Sequence, residues 1–108
     1  PHELRGGFTL TREGGHIRLD TSDDFFFDGS PEPGFGLHSG IPANAADPVL
    51  RANMTATRFL DLPSGVVPAQ GRYSGLLPSE TNLDEFDTVV LWCFAVPFIL
   101  GYGRIEQN

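Results

Sequence analysis

The chain contains no lysine: its seven basic residues are all arginine, set against fourteen Asp and Glu, for a net charge of −7. That balance repels phosphate backbones and anionic headgroups, so neither nucleic acid nor a membrane surface is an expected partner. Cysteine is almost as scarce. A single Cys93 excludes an intramolecular disulfide and any multi-cysteine zinc site, and by itself it leaves the redox compartment open. Long apolar runs are missing too. The longest, Phe94 to Leu100, is interrupted by Pro97 and falls far short of the roughly 20 residues of a membrane-spanning helix, so no membrane insertion is expected. The first residue is Pro1 and not Met, which leads to the expectation of a signal peptide, tag or neighbouring domain upstream.

Glycine, proline and phenylalanine are abundant. Thirteen Gly and nine Pro punctuate the chain every few residues and favour short strands and turns over helices. Nine Phe among 108 residues supply a core of large flat side chains, and a chain of this length is expected to form one domain, 1–108. Phe8 to Thr11 and His16 to Asp20 alternate apolar and polar residues around Glu13-Gly14-Gly15. That is a hairpin pattern with Phe8, Leu10, Ile17 and Leu19 facing inward. Further strands are expected at Phe25 to Phe27, Phe35 to His38, Thr57 to Leu62 and Gly71 to Leu76, with Gly40 to Pro48 a loop. Asn82-Leu83-Asp84-Glu85 has the spacing of a capping box, so a single helical turn there would bury Leu83 and Phe86. Thr88 to Cys93 is apolar on both faces, as a central strand is, and Phe98 to Ile105 returns beside it. About eight short strands in all predict an all-β fold, an antiparallel β-sandwich.

Cys93 is the residue with redox-capable chemistry. Within its strand, Val89, Leu91 and Cys93 share one face and Val90 and Trp92 the other. With no polar side, the sulfur is expected to be buried, and a buried free Cys usually behaves as a small hydrophobe. No Lys or His adjoins it to favour the thiolate. Cys93, Met54 and the three His are the ligand types of a blue-copper centre, but no His or Met follows Cys93 closely, and the spacing argues against copper. His16 lies on the polar face of its strand and should be solvated. His2, near the terminus, is expected to be disordered. His38 closes an apolar strand and should sit at a sandwich rim, where a hydrogen-bonded role outweighs that of a ligand to haem or metal. Asp20, Asp23, Asp24, Asp28 and Glu32 could offer oxygen ligands to calcium; without a regular ligand spacing they read as a solvated turn. Asn53-Met54-Thr55 fits the glycosylation acceptor pattern. No catalytic triad, phosphate-cradling glycine loop or paired-carboxylate motif supports hydrolase chemistry.

Three stretches together resemble a known family. Asp24-Phe25-Phe26-Phe27-Asp28-Gly29, with Pro31 and Pro33-Gly34-Phe35, is similar to the "DF-x-YDG-x-x-P-x-x-F" region of the electron-transfer DM-thirteen domain, which accompanies Skeletor-type proteins and DOMON domains. Gly71-Arg72-Tyr73 followed by Pro78 resembles its "G-x-Y-x-x-P" region, with a longer spacing. Phe86-Asp87-Thr88-Val89-Val90-Leu91-Trp92-Cys93 resembles its "YDTVVIWC" signature and is the specific part of the match. Phe94-Ala95 and Ile99 replace the family's usual polar residues.

The resemblance implies a β-rich extracytoplasmic module acting in electron transfer, with Cys93 working as a bare thiol or as the anchor of a prosthetic group such as haem. Trp92 would then pack the cofactor pocket or the core, and His38 would be the candidate second ligand of a haem iron. The acidity would suit a redox partner protein or another basic protein surface. A reading of a different class is a cell-surface binding or adhesion module in which Cys93 is purely structural. Sandwich folds host both kinds of function.

Overall fold

The computed structural model describes residues 2–107. Among them are ten strands and one helix: β1 (Leu4–Arg5), β2 (Phe8–Glu13), β3 (His16–Thr21), β4 (Phe26–Phe27), β5 (Pro33–His38), α1 (Pro48–Thr57), β6 (Leu60–Asp61), β7 (Ala69–Gln70), β8 (Ser74–Leu76), β9 (Thr88–Cys93) and β10 (Phe98–Arg104). The strands form three sheets in the orders β10-β9-β5-β6, β2-β3-β8 and β1-β4-β7, and every pairing is antiparallel. The fold is therefore all-β, as the turn-punctuated sequence predicts, and sandwich-like in its layering.

The inner faces of the two larger sheets share one core. Ile17 and Leu19 of β3 face Phe35 and Leu37 of β5 and Val89 and Leu91 of β9, with Phe25 and Phe27 completing the cluster. The predicted hairpin forms in the register that places Leu10 opposite Leu19 and Phe8 opposite Thr21. Ile17 and Leu19 are buried, while Phe8 and Leu10 are half-buried because β2 is the edge strand of its sheet. The expected helical turn is present after Asn82, whose main-chain oxygen accepts from the amides of Glu85 and Phe86. Leu83 is buried beneath it and Phe86 packs against the core.

Residues 48–57 depart from expectation. Thr57 to Leu62 was predicted to be a strand, yet Thr57 ends α1 and only Leu60–Asp61 is strand. The helix start was written in the chain: the Asp47 side chain accepts a hydrogen bond from Val49 N at 2.9 Å, and Pro48 occupies a first-turn position. Its apolar stripe is sparse, only Leu50, Met54 and Thr57 being buried, so periodicity alone gave a weak signal. Those three residues lie at helical spacing, and Leu50 and Met54 press on Val90 and Trp92, on the outer face of the four-stranded sheet. Gly36 permits the approach, since a Cβ there would lie 3.1 Å from the Met54 side chain.

Thr57 ties helix to sheet. Its hydroxyl oxygen accepts from Leu37 N at 2.7 Å, and the hydroxyl lies 2.7 Å from Asn53 O, within donating distance. Thr57→Val keeps the shape but strips a buried amide of its partner, a change that costs about 1–3 kcal/mol. The expected outcome is a lower urea midpoint with an unchanged slope; an unchanged midpoint would show that the hydroxyl is dispensable.

Candidate functional site

The register of β9 decides which of the predicted site residues can meet. Cys93 pairs with Pro33 of β5 and Phe98 of β10, whereas His38 pairs with Thr88 at the other end of the same ladder. Five residues of strand separate the two ends, which is about 17 Å at the rise of an extended chain. They also point to opposite layers. Cys93 shares the inner face with Val89 and Leu91, while Trp92 and His38 alternate onto the outer face beneath α1. The expectation that His38 could join Cys93 on one haem iron is thus corrected by strand register. Trp92 packs against Leu50, Met54 and Val90, as part of the smaller core.

Each of these side chains has a local explanation. Cys93 is 5% exposed and flanked by apolar partners. His38 is buried, and its Nδ1 lies 3.0 Å from the Asn53 side-chain amide nitrogen. Asn53, first residue of the glycosylation-type triplet, therefore spends its side chain on the helix–sheet junction. His16 is exposed, as predicted. His2, where disorder was the expectation, has defined partners: its Nδ1 lies 2.8 Å from Asp28 Oδ1, and its ring is tilted against Phe27 and edge-on to Phe98.

The acidic residues are dispersed among separate partners. Asp20 meets Ser74, Arg18 and Arg72, Asp28 meets His2 and Glu3 N, and Glu32 meets Arg58. Among the described residues no three His, Cys, Asp or Glu are grouped so as to hold a metal ion, and no helix is long and apolar enough to cross a membrane.

Asp87 gives the Phe86–Cys93 block a structural task. Its Oδ1 accepts from Gly40 N at 2.8 Å, and its Oδ2 lies 3.2 Å from the Arg104 guanidinium. Its main-chain oxygen accepts from Ile105 N. One carboxylate thus fastens the loop after β5 and the end of β10 to the start of β9.

A feature the sequence reading missed is a cleft of about 520 Å³ between β2 and β10, the edge strands of the two large sheets. Phe25, Phe35, Val89 and Leu91 line it from the core, and Phe8 and Leu10 from β2. Tyr102, Arg104, Ile105 and Glu106 line the opposite side. Gly101 and Gly103 let the Leu4 and Phe8 side chains approach this edge closely. The cross-strand partners of the two glycines are Leu91 and Val89, so both occupy inward positions of β10. A Cβ on Gly103 would stand 2.5 Å from the Phe8 ring. The signal was present in the sequence: two glycines at alternate positions of a strand mark a close approach. Cys93, Trp92 and His38 do not line this cleft.

No family model, no curated protein and no solved structure matches the chain.

The Asp87 carboxyl is held below the ordinary Asp range, first by the Gly40 amide and then by the Thr88 hydroxyl, with Arg104 adding attraction. A depressed folded pKa means that the stabilisation is present above the unfolded value of about 3.9 and is lost as pH falls through the folded one. Thermal melts between pH 5 and pH 2 should therefore show the wild type losing more stability than Asp87→Asn, which keeps an acceptor for Gly40 but has no charge to titrate. Parallel curves would refute this role.

Proposed function

We propose that the chain is a small extracytoplasmic redox module of the electron-transfer DM-thirteen type, with Cys93 acting as a bare thiol. The observation that carries this reading is the Phe86–Cys93 block. It is the part of the chain most similar to that family, and its Thr88–Cys93 portion forms the central strand, buried along its whole length and ending on the sulfur. The net charge of −7 suits docking to a basic redox partner. A resident haem suits the geometry poorly, because Cys93 is only 5% exposed and His38 lies at the far end of the ladder. The sulfur is within one residue of the β9–β10 turn, where Phe98, its cross-strand partner, is 54% exposed. That turn is the shortest route by which an oxidant or partner would reach it.

The near-complete burial of Cys93 favours a second reading, a cell-surface binding or adhesion module in which the thiol is only core. Thiol chemistry separates the two. Under the redox reading, the native protein reacts with dithionitrobenzoate and with peroxide, releasing or losing about one thiol per chain, and Cys93→Ser abolishes both. A native thiol inert to both reagents, yet reactive in guanidinium, would overturn the redox reading and favour the binding module. Haemin added to the protein is expected to produce no Soret band that Cys93→Ala removes; such a band would restore the haem-anchoring role.

A further inference from the structure

Whatever Cys93 does, the cleft between β2 and β10 stands apart from it. We propose that this cleft binds a flat, uncharged small molecule of the aromatic type that carries a hydrogen-bonding group on its edge. The size fits: about 520 Å³ falls within the roughly 300–1,000 Å³ typical of small-molecule pockets. The lining selects shape. Phe25 and Phe35, 4% and 6% exposed, form the floor with ring centroids 6.2 Å apart at 54°, and the half-buried Phe8 adds a third ring at the wall. Offset and edge-to-face contacts with such rings favour a planar guest over a bulky aliphatic one. The inward glycines let the Leu4 and Phe8 side chains lie against β10, so these two side chains form the wall of the cleft beside that strand.

Charge and hydrogen bonding narrow the class further. Arg104 and Glu106 both line the cleft, but the Arg104 guanidinium is paired with Asp87 at 3.2 Å. The rim therefore offers no free cation to an anionic head, and the acidic chain as a whole repels one. Polar selectivity comes from the backbone. β2 and β10 are both sheet edges, each with one hydrogen-bonded neighbour, and an edge strand presents unpaired N–H and C=O groups. A guest lying along the seam meets apolar rings on its face and backbone donors and acceptors on its rim.

The probe is 2-naphthol, a flat two-ring molecule that is uncharged at pH 7 and has one hydroxyl, titrated into the full chain by amide NMR. Saturable shifts are expected at Phe8 to Leu10 and at Gly103 to Glu106, with an affinity tighter than about 1 mM. Leu10→Trp and Ile105→Trp place bulk at the cleft from opposite sides, both at half-buried positions that line it. Each should weaken binding about tenfold while leaving the Trp92 near-ultraviolet signal intact; either variant that loses that signal is replaced by the other. Saturated decahydro-2-naphthol, of similar size but not planar, should bind about tenfold more weakly. Cys93→Ala should bind 2-naphthol as the wild type does, so failure here is distinct from failure of the redox reading. The proposal is overturned by non-saturable shifts, by shifts centred elsewhere, by equal binding to a folded tryptophan variant, or by equal affinity for the saturated analogue.

Discussion

The structure depends on one strand that has no solvent face. β9 is buried at all six positions because the sandwich core covers one side and α1 covers the other. Burial on both sides requires every backbone group of the strand to be paired within the sheet, since no water reaches it. Its neighbours β5 and β10 meet that demand, six residues of β5 pairing with β9 in unbroken register. The helix is present for the same reason: without it, Val90 and Trp92 would be left facing solvent on the outer side of the sheet. Thr57 then ties α1 to β5, and Asp87 ties the loop after β5 to the start of β9.

This arrangement explains why adjacent residues have separate fates. Trp92 and Cys93 are neighbours in the chain, but alternation sends one beneath the helix and the other toward the sandwich interior. The side chains with the most distinctive chemistry therefore belong to different layers, and strand register carries His38 to the far end. What the fold does assemble is an apolar seam. Where the edge strands approach each other the rings of Phe8, Phe25 and Phe35 line a cleft, and the two glycines of β10 let Leu4 and Phe8 lie against that strand.

Much of the architecture could be read from short-range pattern. The alternation in Phe8 to Thr11 and His16 to Asp20, the apolar run Thr88 to Cys93 and the capping spacing at Asn82 each led to an element found in place. Local chemistry failed where its signal was thin or cooperative. Of the four strands two residues long, β4 and β6 lie inside segments expected to be strand, whereas β1 and β7 are too short for periodicity to reveal. The helix carried a start signal in Asp47 and Pro48, but its three-residue buried stripe becomes meaningful only when Gly36 provides a surface to receive it.

By itself, then, the sequence determined that the chain is all-β, that Thr88 to Cys93 lies at its centre and that its one sulfur is shielded from water. These follow from the alternation and apolarity of neighbouring residues, which act over a few ångströms. Only the tertiary structure decided which side chains share a site. The β5–β9 register separated Cys93 from His38, and the meeting of two distant edge strands created a cleft from residues spanning Leu4 to Glu106. Register and edge placement are settled by which sheet faces can be covered at once, a constraint on the whole chain that no single segment contains.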